Sequence, residues 1–266
     1  MMGRVSAMEL DEQGLGAAVD AVREGRCVVL PTDTVYGIGA DPFSELAVQG
    51  LLDAKRRGRD MPPPVLIAER TMLRALVAAV PEAAKKLADA FWPGPLTLIL
   101  RAQSGGGLHL GEAGDTVALR VPAHDGAREL LRRTGPLAVS SANISGEPPA
   151  TTAAEAESQL GDSVAVYLDG GPTPGLVPST IVDFSVREEG VVVRVGVVSL
   201  ETLREVAPTV VLLDEEAPAV EEASDEVTAA PEADEADAAA SPEDASEPVA
   251  GDDSQPQEQP AADGDA

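Results

Sequence analysis

Short apolar runs rich in β-branched residues alternate along the chain with stretches whose apolar side chains recur at the 3.6-residue period of a helix, a pattern that predicts an α/β fold. Residues 27–30, 65–68, 96–100, 116–121, 137–140, 164–168, 180–184 and 191–195 read as strands. Val48, Leu51, Leu52 and Lys55 stand at i, i+3, i+4 and i+7 of a helix that Ser44 caps and Gly58 ends. Two more helices are predicted over 72–80 and 82–91. In the second, Ala83, Leu87, Ala90 and Phe91 share a face until Pro93-Gly94-Pro95 stops it. Asp125 is read as the cap of a helix running through Leu130 and Leu131. Thr152 with Glu155 forms a capping box for a helix ending near Gly161, and Ser199 opens the last helix. Gly105-Gly106-Gly107 predicts a mobile loop. No internal repeat of about 20 to 50 residues is visible, which argues against solenoids and propellers.

Charge divides the chain unevenly. Of the formal −27, residues 214–266 hold 19 Asp and Glu with no Lys or Arg, no aromatic residue and six Pro, which leaves −8 on residues 1–213. A segment so charged cannot bury enough apolar surface to offset its ordering entropy. One domain over 1–213 followed by a disordered acidic tail over 214–266 is therefore expected. The single Cys27 excludes an internal disulfide framework and a zinc cluster of several thiolates, and favours a reducing compartment. The first residues run into Glu9 and Asp11 without the apolar block of a signal peptide, so a cytoplasmic protein is expected. No apolar run approaches the ~20 residues that span a bilayer.

Three polar clusters follow strands, where open α/β sheets bind ligands. The stretch from Pro31 to Ala40 packs Thr32, Asp33, Thr34 and Tyr36 between a rigid proline and two flexible glycines; it suits a small ligand or a plain turn. Lys55-Arg56-Arg57-Gly58-Arg59 sets four cations in five residues of an otherwise acidic chain. That run fits a solvated helix end, and equally a polyphosphate site stiffened by Pro62-Pro63-Pro64. Because the chain has neither a P-loop nor a Rossmann glycine turn, any nucleotide phosphates must be held by such cations. Ser140-Ser141-Ala142-Asn143-Ile144-Ser145-Gly146 is the third cluster, a ligand loop or an Asx or Ser turn. No Gly-x-Ser-x-Gly elbow surrounds its serines and neither His109 nor His124 has the context of a base, which argues against a serine hydrolase.

Pro31-Thr32-Asp33-Thr34-Val35-Tyr36-Gly37, Lys55-x-Arg57, Trp92-Pro93-Gly94-Pro95-Leu96-Thr97, Ala118-Leu119-Arg120-Val121-Pro122, Ser141-x-Asn143 and Pro178-Ser179-Thr180-Ile181 stand in the order found in the YrdC-type threonylcarbamoyl-AMP synthase family, which the chain resembles over about residues 10–200. The resemblance implies a twisted mixed sheet with surrounding helices and a large concave basic cavity. It also implies synthesis of L-threonylcarbamoyl-AMP and pyrophosphate from L-threonine, bicarbonate and ATP, for threonylcarbamoyladenosine in tRNA. By the same resemblance Thr34, Arg120, Ser141 and Ser179 hold threonine, and Lys55 and Arg57 form the catalytic Lys-x-Arg motif. Thr116, Asn143, Thr151 and Arg194 join those two in contacting ATP, and a Mg²⁺ ion comes with the ATP. Tyrosine, histidine and carboxylates supply no obvious general base, which suits chemistry run by positioning. Gly58 stands where the family often has proline, and the acidic stretch stands where longer members append a folded domain. Downstream tRNA-modifying proteins are the implied partners, with direct tRNA binding left open. The rival reading is a non-catalytic double-stranded RNA-binding module, against which the core charge of −8 counts. A carbamoyl-phosphate-using relative would be longer and carry four-cysteine spacing, absent here.

Overall fold

Alternation of side chains on strands sorts the sheet into two faces, and the helices pack according to what each face offers. The structure, a computed structural model, describes residues 7–175 and 177–213; the tail expected over 214–266 lies outside the described residues. In chain order the elements are β1 (Met8–Glu9), α1 (Glu12–Arg23), β2 (Val28–Leu30), β3 (Gly37–Ala40), α2 (Glu45–Ala54), β4 (Val65–Leu66), α3 (Leu73–Leu76), α4 (Glu82–Phe91), β5 (Leu96–Arg101), β6 (Thr116–Arg120), α5 (Asp125–Thr134), β7 (Leu137–Ser141), α6 (Ala153–Leu160), β8 (Val166–Asp169), β9 (Thr180–Asp183), β10 (Val191–Arg194), α7 (Leu200–Val206) and β11 (Val211–Leu212).

The strands form one mixed sheet in the order β1-β8-β2-β3-β7-β4-β6-β5-β9-β10-β11. β8 runs parallel to both β1 and β2, and the β2–β3 hairpin continues antiparallel into β7 and then β4. β4 is parallel to β6, β5 antiparallel to β6 and parallel to β9, and β10 antiparallel to β9. One face sends Val29, Ile38, Ala138, Leu98 and Val182 into a core closed by α2, α4, α6 and α7. The opposite face sends Val28, Leu30, Leu137 and Leu168 under α1 and α5. Gly37 pairs with Ser141 across β3 and β7, and a Cβ there would overlap the Val139 side chain, so this close crossing admits only glycine.

The α/β reading and the mixed sheet hold, with local corrections. α1 has no counterpart in the sequence reading, although Leu15, Ala18, Val19 and Val22 recur at helical spacing and Asp11 accepts the Gly14 amide at 2.9 Å. Residues 37–40, read as part of a loop, are a strand. The helix expected over 72–80 is a 3₁₀ turn at Arg70–Met72 followed by the single turn α3, because Val77 bridges Ala102 at the sheet margin. α4 has its expected limits but buries Ala84, Leu87 and Ala88, leaving Ala90 exposed. α2 ends at Ala54, and Arg56 at φ 51°, not Gly58, takes the left-handed turn. α5 is capped by His124, whose Nδ1 accepts the Ala127 amide at 3.2 Å; Asp125 is already its first residue.

Candidate active site

Beyond the reach of α1 and α5, the same sheet face is free of helices, and its strands there alternate a mixed row of polar and small apolar groups toward the cavity with large apolar groups toward the core. On β5, Thr97 and Ile99 face outward while Leu96, Leu98 and Leu100 are fully buried; on β6, Thr116, Ala118 and Arg120 face outward against Val117 and Leu119. Ser179 and Ile181, Arg194, and Val139 to Ser141 complete the floor from β9, β10 and β7. The β2–β3 turn, Arg57 and the Pro62-Pro63-Pro64 segment form walls around a cavity of about 540 Å³.

Inside it, three guanidinium groups meet few carboxylates. Arg120 is 6% exposed; its Nη2 donates to Asp33 Oδ1 at 2.7 Å, its Nη1 to Thr34 Oγ1 at 3.1 Å and its Nε to the Gly94 carbonyl at 3.0 Å. Gly94 is placed for this by its own amide, which donates to Val121 O, and by buried Trp92, whose indole N–H donates to Leu96 O at 2.6 Å. Arg57 donates from Nη1 to Ser140 Oγ at 3.0 Å, and its buried Nε has no partner. Arg194 grips the Ser179 carbonyl through Nε and Nη2 and reaches Ser179 Oγ at 3.2 Å. Burial lowers the pKa of all three, and in Arg194 the charge of Arg120 adds to the effect. Among the described residues neither Arg57 nor Arg194 forms an ion pair, so the cavity presents net positive charge.

Of the residues singled out from sequence, Thr34, Arg57, Thr116, Arg120, Ser141, Ser179 and Arg194 line this cavity together. Lys55, Asn143 and Thr151 do not. Lys55, read as part of an exposed charged run, is 2% exposed because α2 delivers it beneath the segment after β7, where Nζ donates to the carbonyls of Ser141 and Asn143. Burial, then the charge of Arg57, pulls its pKa down to about 8. Asn143 turns its amide to the carbonyls of Ile144 and Glu147, so Lys55 and Asn143 together fix the loop that carries Ser141. Thr151 donates its amide and hydroxyl to Glu155, taking the half of the capping box expected of Thr152.

Four site-forming residues stood in the polar clusters or motifs without being assigned a role. Thr32 bridges Thr34 and the Val35 carbonyl, Thr97 meets Ser179 Oγ at 2.9 Å, and Ser140 receives Arg57. Thr180, fully buried, accepts the amides of Gly196 and Val198 and so folds the segment after Arg194. A single hydroxyl inside an otherwise apolar strand, as at Thr97 and Thr180, was the available signal.

A sheet face left uncovered by helices, lined by hydroxyls, apolar side chains and three arginines of which Arg120 alone is fully buried, defines a small-molecule pocket of the anion-binding kind. The Sua5/YciO/YrdC family model, described as "Telomere recombination", matches residues 20–196, and the chain belongs to that family. A relative from Mycobacterium tuberculosis, provisionally named threonylcarbamoyl-AMP synthase, is 51% identical over 198 residues, which cover 74% of this chain and 91% of that one. The threonylcarbamoyl-AMP synthase of Pyrococcus abyssi is 38% identical over 204 residues, 74% of this chain and 58% of that longer protein. The crystal structure of P. abyssi Sua5 complexed with L-threonine superposes with a TM-score of 0.69 at 37% identity, covering 76% of this chain and 59% of that one.

Proposed function

We propose that this chain is an L-threonylcarbamoyladenylate synthase, joining L-threonine, bicarbonate and ATP into threonylcarbamoyl-AMP and pyrophosphate. One observation carries the reading: a single cavity of about 540 Å³ brings the hydroxyls of Thr34, Ser141 and Ser179 together with Arg57, Arg120 and Arg194. The volume is of the order that encloses small-molecule ligands, and the mixture of neutral hydroxyls with one guanidinium group paired to Asp33 and two without an ion pair suits an amino acid beside a polyphosphate.

The threonine amine adds to carbon dioxide derived from bicarbonate and loses a proton, giving N-carboxy-threonine. An oxygen of that carboxylate attacks the α-phosphorus of ATP, and the bond from that phosphorus to the bridging oxygen breaks as pyrophosphate leaves. Reactions of this type are accelerated by alignment and by cations that take up developing charge. Arg57 and Arg194 supply the cations. Arg120, Thr34 and Ser179 hold threonine, and Lys55 keeps the Ser141 loop in place. A resident metal does not fit these residues: among the described residues no group of three or more His, Cys, Asp or Glu could hold one, and Asp33 is engaged by Arg120. Mg²⁺ would arrive on the phosphates of ATP with water completing its shell.

A double-stranded RNA module is disfavoured, since duplex binding needs phosphate contacts spread over a surface, and here the cations converge in a pocket. The product would pass to tRNA-modifying proteins in the cytoplasm. No helix among the described residues is long and apolar enough to cross a membrane. Incubated with ATP, bicarbonate and L-threonine, the protein should release pyrophosphate, and omitting threonine or bicarbonate should stop it. Equal release without them overturns the reading.

A further inference from the structure

Asp33 has no role in the chemistry above, yet it lies between the cavity-lining Thr32 and Thr34, behind Arg120, which it contacts directly. Its Oδ1 accepts from Arg120 Nη2 at 2.7 Å and from the Ala123 amide at 3.0 Å, so it ties the β2–β3 turn to the segment after β6. The ion pair is nearly dry, with side chains 8% and 13% exposed, and Asp33 Oδ2 is buried without a partner. Three of the five guanidinium N–H groups of Arg120 are thereby committed, leaving one on each terminal nitrogen for a ligand. Arg57 and Arg194, in the same cavity, have no carboxylate in direct contact, although Arg57 feels the charge of Asp60 at longer range. The cavity therefore holds one neutralised guanidinium and two that are not, and a carboxylate in direct contact largely cancels the charge felt a few ångströms away.

We infer that Asp33 is a specificity-determining residue, cancelling the charge of Arg120 so that the amino-acid end of the cavity, where Arg194 also reaches Ser179, carries one uncompensated cation rather than two, takes a zwitterionic amino acid and turns away a second polyanion. Without Asp33, Arg120 and Arg194 would stand as two uncompensated like charges, and the phosphates of a nucleotide or pyrophosphate could occupy the amino-acid end. The inference rests on the synthase reading, with threonine at Arg120.

Calorimetric titration separates the two. L-threonine and inorganic pyrophosphate are titrated into the wild-type chain, Asp33→Asn and Asp33→Glu, with thermal melts to confirm folding. Asp33→Asn keeps an acceptor for the Ala123 amide but not the charge. It should weaken threonine binding by about tenfold or more and tighten pyrophosphate severalfold, with Asp33→Glu restoring both. A residue that merely holds the loop would weaken both ligands. Loss of both, or no change in either, overturns the inference; wild-type protein that binds no threonine overturns the synthase reading instead. Should Asp33→Asn fail to fold, the wild-type chain decides alone. 2,3-Dihydroxybutyrate, which keeps the carboxylate and the single hydroxyl of threonine but carries a second hydroxyl in place of its ammonium, should bind about tenfold more weakly than threonine, and equal binding overturns the inference.

Discussion

Over β2, β8 and the start of β7 the sheet points Val28, Leu30, Leu137 and Leu168 at α1 and α5, while toward β5, β6 and β9 the same face turns Thr97, Thr116, Arg120 and Ser179, interleaved with Ile99, Ala118 and Ile181, toward the cavity. Both regions obey the same two-residue alternation over an equally apolar underside. The difference lies in the hydroxyls and guanidinium groups that the open half sets among its apolar side chains. An apolar row gains from a helix laid across it, whereas a row of hydroxyls and guanidinium groups under a helix would lose its water without gaining enough partners. The cavity is thus the place where this sequence withholds the groups that would recruit a third helix to that face.

The comparison breaks most sharply on the covered side. Leu130→Ala on α5 removes a fully buried side chain and should cost about 2 to 5 kcal/mol in denaturant unfolding while leaving turnover per folded molecule unchanged. On the open side the signs reverse. Arg57→Ala should cost on the order of 3 kcal/mol in kcat/KM with little change in melting temperature, and Arg56→Ala, on the exposed turn beside it, should change neither. If Arg56 and Arg57 behave alike, the open half is not a site.

Lys55 should behave as both at once. Lys55→Met strands the carbonyls of Ser141 and Asn143, which should lower stability by about 1 to 3 kcal/mol and turnover with it. Its pH dependence distinguishes burial from exposure. Folding lowers the lysine from its ordinary 10.5 to about 8, so between those values the unfolded chain holds more protons than the folded one. Wild-type stability should therefore gain on Lys55→Met as pH rises from about 8 toward 10.5 and be flat with respect to this group below 8. Equal slopes for the two proteins, measured by urea unfolding across that range, would mean that the ammonium is solvated. The smallest effect belongs to Thr97→Val, which deprives Ser179 Oγ of one partner but leaves Arg194; a change of about 1 kcal/mol in kcat/KM for threonine is expected, with unfolding nearly unaffected.

Strands and capped helices were legible because each rests on local chemistry: Ser44, Thr152 and Ser199 cap where their residue types predict. α1 was not, since Gly14, Gly16 and several alanines dilute the apolar contrast that marks a helix, and its helicity depends on packing against α5 and β8. Residues 70–80 carry a helical period but meet the sheet margin at Ala102, and tertiary pairing wins. In the site, the motifs pointed to Thr34, Arg57, Arg120, Ser141 and Ser179, and the family resemblance added Thr116 and Arg194. The burial of Lys55 could not be read from its neighbours, because Arg56 and Arg59 in the same run are exposed and only the three-dimensional approach of β7 separates them.

Trp92 is the single tryptophan of the chain. It sits two residues before the Gly94 carbonyl that steadies Arg120, with its indole N–H bonded to Leu96 at the start of β5. The emission of one fluorophore, undiluted by any other indole, thus reports on the segment that moves if Arg120 moves. Trp92 is buried behind the cavity rather than in its lining, so a ligand that displaces Arg120 should shift the emission through the Gly94 segment, and titrating an amino acid and a polyphosphate separately checks which of them does so.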